Sequence, residues 1–171
     1  RLKSMIETRP DWCVSRQRVW GVPLPIFVNK KTKEILVEDE LFENIAKIYE
    51  KEGSDCWFSD DPQKFLGKKH KAEDYDKLSD IVEVWFDSGS THSFVLEKRE
   101  DLKWPASMYL EGSDQHRGWF HSSLLESCGT RGKAPFESIL SHGFVVDGKG
   151  LKMSKSLGNV IAPEDILKKY G

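Results

Sequence analysis

Cysteine is scarce in this chain, and its three copies, Cys13, Cys56 and Cys128, are far apart, odd in number and never in a Cys-x-x-Cys pair. That excludes a disulfide framework and fits a reducing compartment, the cytoplasm by default. No run of eighteen apolar residues exists, so the sequence offers no membrane-spanning helix. The opening "RLKSMIETRPDW" has neither an initiator Met nor a signal-peptide pattern, and "APEDILKKYG" ends as a helix stopped by Gly171. Both ends suggest a piece of something longer. A dominant charge of one sign is lacking too: 26 Lys and Arg stand against 28 Asp and Glu, which argues against a general polyanion-binding surface. Any nucleic-acid partner must be argued locally.

What is present is enough for an ordinary folded domain: 171 residues, 38% hydrophobic and 32% charged. "VPLPIFV", the polar "NKKTKE" and then "EILVE" predict a hairpin. From Asp39 to Gly53, Leu41, Phe42, Ile45, Ile48 and Tyr49 recur at helical spacing, with Asp39 as the expected N-cap and Gly53 as the C-cap. Residues 54–80 are polar and of mixed sign, and "GKKHKAEDYDK" is expected to be solvated surface without function. Further on, "SMYLEG" (107–112) is expected to be a strand and "DQHRGWFHSSLLESCG" (114–129) a helix with Trp119, Phe120, Leu124 and Leu125 on its apolar face. A second strand is expected within "FESILSHGFVVDG". The order strand, helix, strand predicts a βαβ unit with parallel strands and a right-handed crossover, hence an α/β fold. Ligands of such sheets bind beyond the carboxyl ends of the strands, here Glu111-Gly112 and His142-Gly143, with Asp114 and Gln115 opening the crossover helix.

Past the second strand lies "GKGLKMSKSLGN" (148–159), with three lysines and three glycines. "GFVVDGK" (143–149) begins like a phosphate loop, but Gly150 stands where Ser or Thr must hold Mg²⁺, and "FVV" reads as strand rather than as the lead into a helix. The other reading makes Lys152 and Lys155 the phosphate ligands. Gly148, Gly150 and Gly158 would let their loop close on a triphosphate and neutralise the charge of a departing pyrophosphate. Standing alone, the same residues would be a basic exposed turn.

They do not stand alone. "KMSKS" (152–156) resembles the second signature of the class I aminoacyl-tRNA synthetases, and "YLEGSDQHRGWF" (109–120) resembles their isoleucine-specific branch. "DWCVSRQRVWGVPLPIF" and "VWFDSGSTH" are similar to the same enzymes in order and spacing, so the likeness runs from about Met5 to Gly171. The resemblance implies the second half of a Rossmann-like catalytic domain, with residues 1–21 returning into it, 22–80 forming a small α+β connecting subdomain, and 81–171 carrying the βαβ unit, the lysine loop and a final helix. It implies an isoleucine–tRNA ligase activity: ATP with Mg as the substrate complex activates L-isoleucine to the adenylate, which is transferred to tRNA(Ile) by a cytoplasmic monomer.

At matching positions Glu111 would meet the substrate ammonium, Gly112, Asp114 and Gln115 the ribose and backbone of the adenylate, and His142 the same nucleotide. Trp85 and Trp119 would line the isoleucine side-chain pocket. Lys155 would contact the ATP phosphates, with Lys152, Ser154 and Ser156 shaping the closed loop. Without the resemblance, Trp85, Trp119 and Phe120 read equally as core aromatics, and His142 as a structural histidine. Valine and leucine enzymes share "KMSKS" but not "EGSDQ" followed by "RGWF". The first class signature, an editing domain and an anticodon-binding domain lie outside these residues, so the piece alone is expected to be inactive. Some relatives carry zinc cysteines in the connecting subdomain, but Cys56 is solitary, and no zinc is expected. A reading from another class is a nucleotide- or tRNA-binding module without catalysis.

Overall fold

The computed structural model describes residues 2–171 and divides into two compact units, residues 9–88 and residues 89–171 with the described residues up to Thr8. The expected boundaries at 21/22 and 80/81 differ from these. Residues 14–16 join the smaller unit because β1 (Ser15–Arg16) pairs antiparallel with β4 (Ile81–Val82), and Ser15 and Gln17 both donate to the Asp80 carboxylate. Those two donors hold the Asp80 pKa below the usual carboxylate range. A short helix, α1 (Leu2–Glu7), precedes β1.

The smaller unit is built on α2 (Asp39–Glu52), which buries Leu41 and Ile45 and packs Ile48 and Tyr49 against the same cluster, as its spacing predicts. Its N-cap is Glu38 rather than Asp39, and the Glu38 carboxylate is taken by Lys69 at 2.7 Å and His70 at 3.1 Å instead of capping the helix. Strand β2 (Phe27–Asn29) pairs antiparallel with β3 (Tyr75–Lys77). The predicted hairpin forms as well: Asn29 N–H donates to the Glu34 carbonyl at 2.8 Å and Leu36 N–H to the Phe27 carbonyl at 2.9 Å, around the bridge Val28–Ile35, while the strand β3 that pairs with β2 begins 46 residues after Asn29, at Tyr75.

Residues 67–77 hold no buried residue, in keeping with the expected solvated surface, but residues 56–66 before them do. The short helices α3 (Cys56–Ser59) and α4 (Pro62–Leu66) supply Cys56, Trp57, Phe65 and Leu66 to the buried cluster, beside Phe27, Leu41 and Ile45. Trp57 is fully buried between Phe27 and Phe65, with ring centroids 5.1 and 4.9 Å away, and its indole N–H donates to the Leu78 carbonyl at 2.7 Å. Lys77 lays its ammonium over the Trp57 and Phe65 rings, 5.3 Å from each centroid. The polar sequence thus hides half a core in two helices too short to show a period.

The larger unit starts at the end of α5 (Val84–Gly89) and centres on β5 (Tyr109–Gly112) and β6 (Ile139–His142). These strands are parallel, as predicted, in the register Tyr109–Ile139, Leu110–Leu140, Glu111–Ser141 and Gly112–His142. The crossover carries α6 (Trp119–Arg131), which begins five residues later than the expected helix start at Asp114. Residues 113–117 form a separate 3₁₀ turn instead, closed by the His116 ring on the Ser113 carbonyl at 2.7 Å. The buried face of α6 also differs from the apolar stripe: it consists of Phe120, Ser122, Ser123, Glu126 and Ser127, while Leu124 and Leu125 are half-buried. Small hydroxyl side chains let the helix sit close to β5, where the Ser123 and Tyr109 hydroxyls meet at 3.1 Å. The chain closes with α7 (Pro163–Tyr170). Among the described residues no helix is long and apolar enough to cross a membrane.

Candidate functional site at the strand ends and the lysine loop

Parallel pairing brings Gly112 and His142 side by side at the carboxyl ends of β5 and β6. Gly112 leaves room for two neighbouring side chains. A Cβ there would lie 2.5 Å from the Asp114 carboxylate and 4.0 Å from the His142 ring, so Gly112, Asp114 and His142 converge on one spot. Gln115 links that spot to the helix. Its amide nitrogen donates to Asp114 at 3.2 Å, and its amide oxygen accepts the backbone N–H of Trp119, the first residue of α6, at 2.9 Å. The turn 113–117 thereby points Asp114 and Gln115 back toward the strand ends. The His142 Nδ1 lies 2.8 Å from the Gly143 carbonyl, which as acceptor leaves Nε2 for another partner. Glu111 is exposed, paired with Ser141 across the sheet.

Trp119 stacks on Tyr109 with centroids 4.2 Å apart and planes 11° apart, and Tyr109 in turn touches Phe120 and Phe136. Trp119 is half-buried, so it both supports this aromatic group and keeps part of its surface outside it. Trp85 lies in the smaller unit, on α5, 44% exposed.

The lysine loop continues from β6 as a short hairpin. The backbone of Val145 accepts from Met153, and Val146 bridges Lys152, so "FVV" is one arm of this turn rather than a strand of the sheet. Gly150 and Gly158 take positive φ, 76° and 66°, and Gly148 does not. At Gly158 the left-handed geometry ends the 3₁₀ turn Lys155–Leu157, a conformation that other side chains resist. Ser154 caps that turn by accepting from Leu157 N–H at 3.2 Å and lies 3.1 Å from the Ser156 hydroxyl. Lys155 is exposed at the head of the turn. Lys152 rests its ammonium 3.6 Å above the centre of the Phe144 ring.

Two loop residues that the sequence reading passed over organise all of this. Asp147 Oδ1 accepts the backbone N–H of Lys149 at 2.8 Å and of Leu151 at 3.0 Å. Its Oδ2 accepts from the Asn159 amide at 2.9 Å, and Asn159 Oδ1 accepts the backbone N–H of Ser154 at 2.9 Å. These hydrogen bonds, that of Asn159 first, hold the Asp147 carboxyl below its usual range. The signal was there in Asp147-Gly148 and Gly158-Asn159, two turn dipeptides bracketing the loop. Among the described residues no cluster of three His, Cys, Asp or Glu is arranged to hold a metal ion.

This arrangement has known counterparts. A family described as class I tRNA synthetases (I, L, M and V) matches residues 1–171. Over all of its 171 residues the chain is 88% identical to isoleucine–tRNA ligase of Pelagibacter ubique, covering 19% of that protein. It is 58% identical over 172 residues to isoleucine–tRNA ligase of Brucella abortus, covering 18% of it, and 56% over 176 residues to that of Caldicellulosiruptor saccharolyticus, covering 19%. In each case the whole of this chain is matched, and it spans about a fifth of the relative. Among solved structures the fold is similar to the Agrobacterium radiobacter K84 agnB2 LeuRS–tRNA–LeuAMS ternary complex, with a TM-score of 0.63 and 23% identity over 94% of this chain and 22% of that one.

Proposed function

The chain belongs to the class I tRNA synthetases, in the group of the isoleucine, leucine, methionine and valine enzymes, and on that premise we propose that it is the second half of the catalytic domain of an isoleucine–tRNA ligase. The observation that carries the reading is the junction of the parallel strand ends with the lysine hairpin: Gly112, Asp114 and His142 converge, and β6 runs on into Lys152 and Lys155. The hairpin follows His142 directly in the chain, so a nucleotide held at the strand ends would lie beside its base.

The chemistry is an adenylation. A carboxylate oxygen of L-isoleucine attacks the α-phosphorus of MgATP, the bond to the bridging oxygen breaks, and pyrophosphate leaves with the electron pair. A ribose hydroxyl at the end of tRNA(Ile) then attacks the adenylate carbonyl, and AMP departs. Neither step demands a strong acid or base from the protein; placement and charge supply the rate. Glu111 pairs with the isoleucine ammonium. Gly112 lets the adenylate backbone approach, Asp114, steadied by Gln115, receives ribose hydroxyls, and His142 offers Nε2 to the same nucleotide. Lys155 meets the charge growing on the leaving pyrophosphate, while Lys152, Ser154 and Ser156 shape the loop that carries it. Trp119 walls the isoleucine side chain. The protein in this reading is a cytoplasmic monomer.

The test is isoleucine-dependent ATP–pyrophosphate exchange by a full-length protein carrying this chain. Exchange driven by isoleucine ahead of valine and leucine is expected. Faster exchange with either of the others would move the protein to a sister specificity, and nucleotide binding without exchange for any amino acid would make it a binding module. Residues 1–171 by themselves should not exchange.

A further inference from the structure

Two short polar side chains, twelve residues apart, tie both ends of the lysine loop into one ring. Going round it, Asp147 holds the N–H groups of Lys149 and Leu151 on one oxygen and Asn159 on the other, and Asn159 holds the N–H of Ser154. Asn159 also reaches the Lys152 carbonyl at 3.3 Å. The Asp147 backbone closes the small turn, accepting from Gly150 and donating to Leu151. These bonds order the backbone of the loop that carries Lys152 and Lys155, the side-chain bond between Asp147 and Asn159 joins its two halves, and none uses a lysine side chain. The ring therefore sets where the two ammonium groups are presented while leaving them uncommitted to it.

We propose that Asp147 and Asn159 are positioning residues for the adenylation step: their mutual hydrogen bond preorganises the loop so that Lys155 arrives at the pyrophosphate with its backbone already ordered. The inference rests on the functional reading above. A loop without the ring must be ordered anew in each transition state, and that entropy cost falls on the rate rather than on isoleucine binding. Glycines at 148, 150 and 158 give the loop no stiffness of its own, which is why a side-chain ring is required.

The donor and acceptor pattern permits a direct test in the full-length protein. Asp147→Ala and Asn159→Ala should each lower kcat for isoleucine-dependent exchange by about tenfold or more and leave the isoleucine KM within about twofold. The exchanged pair D147N/N159D reverses the central bond. The amide oxygen at 147 still accepts from Lys149 and Leu151, its NH₂ donates to the carboxylate at 159, and that carboxylate still accepts from Ser154. The weak contact to the Lys152 carbonyl is lost, and a carboxylate oxygen faces that carbonyl instead, a small cost at 3.3 Å on an exposed loop. The double variant should therefore recover to within about threefold of wild type, while D147N and N159D alone, which set two amides or two carboxylates against each other across that bond, should stay slow. Trypsin cleavage at Lys149, Lys152 and Lys155 in the same proteins gives a second readout, faster in each single variant and slow again in the pair. Single variants that exchange like wild type would overturn the proposal, and so would a pair as slow as the singles. A wild-type protein without isoleucine-dependent exchange would instead refute the isoleucine reading, and unchanged trypsin protection in the single variants would refute the ring on its own.

Discussion

Replacing Trp119 with alanine separates its two roles, because the backbone around it is anchored independently of the indole. The Trp119 N–H is held by the Gln115 side chain, and the Tyr109 hydroxyl by Ser123, so the first turn of α6 and the position of Tyr109 survive the truncation. The indole's stack on Tyr109 at 4.2 Å and its tilted contact with Phe120 at 6.2 Å go with it. Truncating a fully buried Trp costs about 3–5 kcal/mol, and for a half-buried one with a single close ring partner about 2 kcal/mol is expected. That is the effect on folding, read by denaturant titration. If the indole also walls the isoleucine side chain, a second loss of about 2 kcal/mol appears in activation, or about 30-fold in kcat/KM for isoleucine. Valine fills less of such a cavity and should lose only about 5-fold, so the ratio between the two narrows. Apolar pockets discriminate one methylene by only about 1–3 kcal/mol, isoleucine against valine being the standing example of that limit. Pyrophosphate exchange with isoleucine, valine and a bulkier analogue measures both losses and the ranking of the three. A variant destabilised by the expected amount but with unchanged isoleucine kcat/KM and unchanged ranking would confine Trp119 to the aromatic group around Tyr109.

Lys155→Ala should depress the exchange rate far more than it raises the isoleucine KM, since the charge it meets is largest in the transition state; equal losses in both would reduce it to a ground-state ligand. The Asp147 carboxyl is held below its ordinary value by Asn159 and two backbone donors, so its contribution to loop order is complete above the unfolded aspartate pKa of about 4 and is lost only as pH falls through the lower folded value. Amide exchange at Lys149 and Leu151 should accordingly stay protected at mildly acidic pH, and loss of protection above about pH 5 would contradict the assignment. Trp57→Ala removes the fully buried centre of the smaller unit and strands the Leu78 carbonyl, a cost of about 4 kcal/mol or more by thermal or chemical unfolding. A loss under about 1 kcal/mol would mean that α3 and α4 do not form this core.

The parts that hydrophobic spacing specifies were legible, and the parts that hydrogen bonds specify were not. Helix α2 shows its apolar face over fourteen residues, and the β5, α6, β6 order follows from two short apolar runs around a helical stretch. Spacing says nothing where an element is too short for a period, as with Trp57, Phe65 and Leu66 in helices of four and five residues. It failed on α6, whose buried side is largely serine because close approach to β5 matters there more than apolar area. At the site, residue identities pointed to Glu111, Asp114, Gln115 and the lysines, yet the feature that orders the loop is the pair Asp147 and Asn159. Their chemistry is ordinary for turn residues, and each turn taken alone reads as local. Only closure of the chain shows that the two turns share one hydrogen bond. The loop's leucines, Leu151 and Leu157, are more than half exposed and bury too little to hold a shape, so its order comes from side chains short enough to bond the backbone and separated enough to span the loop; Asp147 and Asn159 are the pair at its two ends that meets both conditions.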